Sequence, residues 1–214
     1  MKFNRSAAVS ALFLLVSIGV AVWLYPKLSD RVPVHWNVHG NVDGTMSRSW
    51  VAAFPALMIA GLMALTALLP RMSPRRFEID SFVRVYGIVM LAIQGLILVL
   101  GTAMLFNGAG YAMPMPMLAM LVAGALFMVI GNYMGKLRRN FFIGIRTPWT
   151  LSSEAVWERT HRLGGWLFLL AGLVAMLSSL LGMPLWLSIA ALLTAVLISC
   201  IYSWVVYRRL SGKA

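Results

Sequence analysis

The sequence predicts an all-α, polytopic membrane protein with six transmembrane helices and both termini in the cytoplasm. Three observations predict it: composition, six long apolar runs, and a lopsided distribution of basic residues. Hydrophobic residues make up 61% of the chain and charged residues 11%, with a mean hydropathy of +0.85. A soluble domain carries about 25% charge. Runs long enough to cross roughly 30 Å of hydrocarbon at about 20 residues each occur at Ala7–Tyr25, Trp50–Leu69, Val85–Phe106, Pro114–Met134, Leu163–Leu181 and Leu185–Tyr207. Only short polar connections remain, which leaves no room for a separate soluble domain.

The net charge of +12 invites a nucleic-acid reading, but its placement argues for topology. Six spans put Lys2, Arg5, Arg71, Arg75, Arg76, Arg84, Lys136, Arg138, Arg139, Arg146, Arg159, Arg162, Arg208, Arg209 and Lys213 on one side. Only Lys27, Arg31 and Arg48 fall on the other. Such a bias places the richer side in the cytoplasm. No nucleic-acid motif accompanies the charge, so direct nucleic-acid binding is not expected.

The first span begins with Lys2 and Arg5 like a signal peptide. Its apolar run is too long and no small-x-small cleavage site follows, so it reads as an uncleaved anchor. The second span closes an amino-terminal unit, 1–70, and the remaining four form a second, 71–214. None of the spans holds an Asp, Glu, Lys, Arg or His at depth, which disfavours ion-coupled transport. Gln94 is the most polar mid-span side chain, and a hydrogen bond to a neighbouring helix is the expected use for it. Gly131 and Gly135, in "GNYMG", have the small-xxx-small spacing of closely packed helices. "LGMP", Leu181–Pro184, is short enough only for an antiparallel hairpin of the last two spans. Cys200, the single cysteine, excludes an intramolecular disulfide and reads as an apolar packing residue. No internal repeat supports an inverted-repeat transporter.

Two loops carry the rest. In the outer one, "DRVPVHWNVHGNVDGTMS", alternation sets Val34, Trp36 and Val38 against His35, Asn37 and His39, as in a short half-buried strand. Gly40 and the Asp43-Gly44 pair then supply a turn. His35, His39 and Asp43 are metal-ligand types. Residues four apart on a strand, however, lie about 13 Å apart at roughly 3.3 Å per residue, too far to share one ion. Met113, Met115 and Met117, at the start of the fourth span, are soft enough to join the histidines in a copper site, although 15 methionines are spread through the chain as ordinary filler. A copper- or zinc-binding membrane protein and a small-solute transporter are therefore the alternative readings. No metal or other cofactor is expected.

The inner loop, "GKLRRNFFIGIRTPWTLSSEAVWERTHRLGG", is denser in signals. Thr147 before Pro148 is an N-cap followed by a first-turn proline, and Ser152 or Ser153 is placed to cap a second helix. In that helix Glu154, Glu158, His161 and Arg162 share one face, with Glu158 and Arg162 in the favourable i,i+4 order. The result is a cytoplasmic interfacial helix leading into the fifth span. Gly164 and Gly165 lie at its membrane end, and Trp149, Trp157 and Trp166 serve as interfacial anchors. A carboxylate beside a histidine can do acid–base work. With no nucleophile, metal cluster or phosphate-binding glycine loop nearby, a solvated ion-pair face is expected instead, and no catalysis.

These two loops together resemble the SdpI family of bacterial membrane proteins. Pro33, His35, Asn37, Gly40, Asp43 and Gly44 match the P-x-H-[WF]-N-x-x-G-x-x-D-G core of the family's amino-terminal domain of unknown function. Gly135, Lys136, Asn140, Gly144, Arg146, Thr147, Pro148, Trp149, Thr150, Leu151, Ser152, Glu154, Trp157, Thr160, His161 and Arg162 match its central signature. The resemblance implies a multi-pass protein of the bacterial cytoplasmic membrane that protects its cell from a secreted peptide toxin. It also implies a receptor that holds a cytoplasmic winged-helix repressor at the membrane. On this analogy His35, Trp36, Asn37, His39 and Asp43 meet the toxin. Lys136, Arg138, Asn140, Arg146, Thr147, Pro148, Trp149, Glu154, Trp157, His161 and Arg162 meet the repressor, and membrane lipid surrounds the spans.

Overall fold

All six apolar runs are helical. The computed structural model describes residues 3–37, 39–72 and 82–212, with side chains from Arg5 onward. Lys2, Val38, Arg75, Arg76 and Lys213, used above, lie outside the described residues. The order is α1 (Phe3–Leu24), a short 3-10 turn (Tyr25–Lys27), β1 (Arg31–Trp36), β2 (Val42–Ser47), α2 (Arg48–Met72), α3 (Val83–Gly108), α4 (Met115–Met134), α5 (Pro148–Ser152), α6 (Glu154–Leu180) and α7 (Leu185–Ser211). All but the five-residue α5 are long and apolar enough to cross a membrane. Leu15, Leu193 and Leu197 point outward, as side chains facing lipid should.

Hydrocarbon gives apolar helices no hydrophobic drive toward one another, so close packing must hold them. Small residues supply it. On α3, Gly87, Gln94, Gly101 and Gly108 recur every seven residues and are all buried. A Cβ on Gly87 would sit 2.8 Å from the Ser6 hydroxyl of α1, and one on Gly101 would sit 2.6 Å from the Pro55 ring of α2. Between α4 and α6 the same device appears twice, with Gly124 against Gly172 and Gly131 against Gly165, each backbone pressed on the other's carbonyl. The expected Gly131–Gly135 pair is thus only half used, since Gly135 has no such neighbour. By packing, α3 sides with α1 and α2, while α4, α6 and α7 form a second group joined to it through α3 and α4.

Pro70 lies within α2 and cannot donate to the Thr66 carbonyl. The Tyr86 hydroxyl of α3 donates to that oxygen instead, at 3.3 Å. Gln94 corrects an expectation: its side chain is buried, and its oxygen and nitrogen have no hydrogen-bond partner among the described residues. The hairpin between α6 and α7 is as expected. Gly182 takes φ +65°, and the Ser178 and Ser188 hydroxyls join across it at 2.7 Å.

The outer loop is more ordered than the expected strand and turn. It is an antiparallel β1–β2 hairpin with register shifts on either side of His35. The turn is built by Asn37, not by Asp43-Gly44. The Asn37 side-chain oxygen accepts from the His39 and Asn41 amides at 2.9 and 3.0 Å, and Gly40 takes φ +81°. Asp43 and Gly44 instead belong to β2, where a Cβ on Gly44 would lie 2.9 Å from that of His35. Val32, fully buried against Gly108 of α3, anchors the hairpin to the bundle.

Candidate functional site

Between Met134 and Glu154 the chain leaves the membrane-crossing helices and turns back through the signature loop. Asn140 sits at its centre, fully buried. Its amide nitrogen donates to the Arg138 and Ile143 carbonyls at 2.8 and 3.1 Å. Its oxygen accepts from the Phe142 and Ile143 amides, both at 2.8 Å. One side chain thereby closes a turn that no regular ladder could satisfy.

The next residues are held by α6. The Ile145 amide donates to His161 Nε2 at 3.0 Å, and His161 Nδ1 donates to the Trp157 carbonyl at 2.8 Å. Accepting on one nitrogen and donating from the other defines a neutral imidazole with its proton on Nδ1. The ring stacks on the Trp157 indole with 3.9 Å between centroids. Trp157 Nε1 in turn donates to the Leu137 carbonyl at 2.8 Å. Gly144 makes the approach possible: it takes φ +108°, and a Cβ there would lie 2.5 Å from His161 Nε2.

The third fastening is the α5 cap. Thr147 and Thr150 form the reciprocal capping box, with the Thr147 hydroxyl accepting from the Thr150 amide at 3.2 Å and the Thr150 hydroxyl from the Thr147 amide at 2.9 Å. The Thr150 hydroxyl also donates to the Ile145 carbonyl at 2.8 Å. Thr147 pairs with Ser203 of α7 at 3.0 Å, which ties the loop to the last span. Ser153 caps α6, as expected of one of the two serines.

Two readings change. Trp157 is no interfacial anchor, because it is wholly buried and its indole N–H is spent inside the loop. The expected ion-pair face loses His161 to the interior, and Glu158 pairs with Arg138 at 3.4 Å instead of with Arg162. Glu154 reaches Arg139 at 3.5 Å. The interfacial helix leads into the fifth span as expected, α6 running unbroken from Glu154 to Leu180.

The signature residues therefore divide. Asn140, Trp157 and His161 face inward. Thr147 and Trp149 are half-buried, while Lys136, Arg138, Arg146, Pro148, Glu154 and Arg162 are exposed. A depression of about 410 Å³ runs between Lys136, Arg138, Glu158 and Arg162. Its rim carries the cations Lys136, Arg138 and Arg162 beside the Glu158 carboxylate. Sequence reasoning missed Ser203 and the Leu137 and Ile145 backbone groups. The only local hint of Ser203 was a hydroxyl one turn after Ser199 in an apolar helix, both of them buried.

On the opposite side of the spans, His35 Nδ1 and an Asp43 carboxylate oxygen are hydrogen-bonded across the hairpin. Both remain accessible, with His35 at 72% side-chain exposure. Trp36 and Asn37 are half-buried and His39 lies exposed in the turn. Among the described residues no three His, Cys, Asp or Glu side chains group as a metal site. Met115 is buried, while Met117 is exposed.

Comparison with known proteins accords with this division into two motifs. The SdpI/YfhL protein family profile matches residues 136–203, and a domain of unknown function, DUF1648, matches residues 12–59. The chain is 26% identical over 212 residues to "Immunity protein SdpI" of Bacillus subtilis (strain 168), covering 96% of this chain and 97% of that one. No solved structure matches it significantly.

Proposed function

From the match to the SdpI/YfhL protein family model over residues 136–203 and the likeness to an immunity protein over nearly the whole chain, we propose that this multi-pass protein of the bacterial cell membrane is an immunity and signal-receiving protein without catalytic activity. In this reading a secreted peptide toxin meets the outer hairpin at His35, Trp36, Asn37, His39 and Asp43. A cytoplasmic winged-helix repressor meets the rim formed by Lys136, Arg138, Arg146, Pro148, Trp149, Glu154 and Arg162. Asn140, Thr147, Trp157 and His161 hold that rim in shape without touching the partner.

One observation carries the reading: the matched family segment begins where the loop is fastened by buried polar bonds and presents exposed cations. A topology signal needs positive charge alone, and surface charge needs no frame. A frame of this kind has a use where a second protein must recognise a fixed arrangement. The orientation with both termini in the cytoplasm follows the charge bias. Transmission from hairpin to rim requires the toxin to bind two arrangements of the spans with different affinity. The packed glycine contacts of α4 with α6 are the place where two such arrangements would differ.

Deletion of the gene is expected to sensitise cells to a membrane-active secreted peptide. Arg146→Ala and Trp149→Ala are expected to abolish induction of a reporter under repressor control while leaving protection intact. Unchanged sensitivity after deletion would remove the protective half of the proposal, and unchanged induction in both variants would remove the receptor half.

A further inference from the structure

The amino-terminal helices enclose a cavity that neither motif uses. It lies between α1, α2 and α3, at the end bearing the amino terminus, and has a volume of about 690 Å³. Arg5 and Arg84 are exposed at its rim, while Ser10, Thr66 and Gly87 are buried within it. Met63, Ala67 and Ile88 supply apolar wall. None of the described lining residues is acidic.

Two features point to an anion. First, Arg5 and Arg84 enter no ion pair among the described residues. Second, Ser10 lines the cavity at 4% exposure, and its hydroxyl has no hydrogen bond among the described residues. The Thr66 hydroxyl, by contrast, is satisfied by the Leu62 carbonyl at 2.6 Å. An open hydroxyl and two unpaired guanidinium groups on one cavity are the polar groups that would orient a ligand there.

Volume and wall chemistry select the kind of anion. A pocket of several hundred Å³ suits a molecule of drug size and leaves a lone phosphate loosely held. The apolar wall is half-buried and is supplied by two helices long and apolar enough to cross a membrane. We propose that this cavity binds one anionic phospholipid, with its phosphate between Arg5 and Arg84, its headgroup hydroxyls at Ser10, and its first acyl carbons along Met63 and Ile88. By the charge bias this end faces the cytoplasmic leaflet, whose lipids are the anionic ones.

The test uses the full chain in nanodiscs, with bound lipid counted by native mass spectrometry and stability followed by thermal unfolding. Phosphatidylglycerol should bind one per chain and raise the melting temperature, while phosphatidylcholine and inorganic phosphate should do neither. Arg5→Ala with Arg84→Ala should weaken the phosphatidylglycerol effect by roughly tenfold to a hundredfold. Arg208→Ala with Arg209→Ala, which removes equal charge at the end of α7, should leave it unchanged. Ser10→Leu fills the cavity floor and should abolish the preference while both arginines remain. Equal loss in the α7 variant would reduce the effect to general surface charge and overturn the site. Full stabilisation by inorganic phosphate would overturn the lipid, and undiminished binding in the Arg5/Arg84 variant would overturn both.

Discussion

The two motif loops, on opposite sides of the membrane spans, use polar residues in opposite ways. The outer hairpin leaves them open, with His35 and Asp43 paired at the surface and His39 exposed in the turn. The inner loop buries them, so that Asn140, Thr150 and His161 are almost inaccessible and each hydrogen-bonds to backbone or to a neighbouring cap. Polar character therefore does not by itself mark a contact surface. In the hairpin it is available to a ligand; in the loop it determines the shape on which other residues are displayed.

This contrast can be broken most severely at Gly144. Gly144→Ala forces a side chain into left-handed backbone and against His161, and should cost roughly 2–5 kcal/mol. The expected outcome is loss of the monodisperse peak in detergent size-exclusion. Asn140→Ala follows, at roughly 2–4 kcal/mol, because it strands two amides and leaves two carbonyls without their donor. Its melting temperature should fall well below that of any hairpin variant, and a drop no larger than that of His35→Ala would show the frame to be unimportant. Trp157→Phe keeps an aromatic ring but loses the indole N–H bond to Leu137 and part of the buried ring volume stacked on His161, for roughly 2–4 kcal/mol.

The smaller effects sharpen the comparison. His35→Ala and Asp43→Ala remove an accessible hydrogen-bonded pair and should change stability by no more than about 1 kcal/mol, yet both should impair protection against toxin. A hairpin variant that melts normally and protects normally would count against toxin contact there. Lys136→Ala and Arg162→Ala, on the exposed rim, should shift stability by about 0.5 kcal/mol or less while weakening capture of the repressor in a pull-down from membranes. The difference from wild type should shrink with added salt, since screening removes the same charge contribution from the wild-type rim.

Much of the local chemistry was legible in the sequence. Thr147-Pro148 and Ser153 announced their helix starts because caps are local, formed by residues within one turn of each other. The Glu158–Arg162 pair was legible too, but wrong, because helix periodicity does not reveal that Arg138 stands across the loop at ion-pair distance from Glu158. For Trp157 and His161 the sequence pointed outward, as polar-tipped residues at a membrane surface usually do. Nothing local indicates that the Leu137 carbonyl and the Ile145 amide, 20 and 16 positions from their partners, need those side chains.

The sequence by itself determined the class of molecule, the number of spans and the charge bias that orients them, because hydrocarbon admits only apolar segments whose backbone groups are satisfied within the segment. It also carries the two motifs that match the SdpI/YfhL family model and DUF1648, through residue types at set spacings. Only the tertiary structure decided which polar residues are scaffold and which are surface, and which glycines serve helix contact. Those outcomes depend on pairs distant in the chain, such as Thr147 with Ser203 and Gly124 with Gly172, that meet only after the helices have packed.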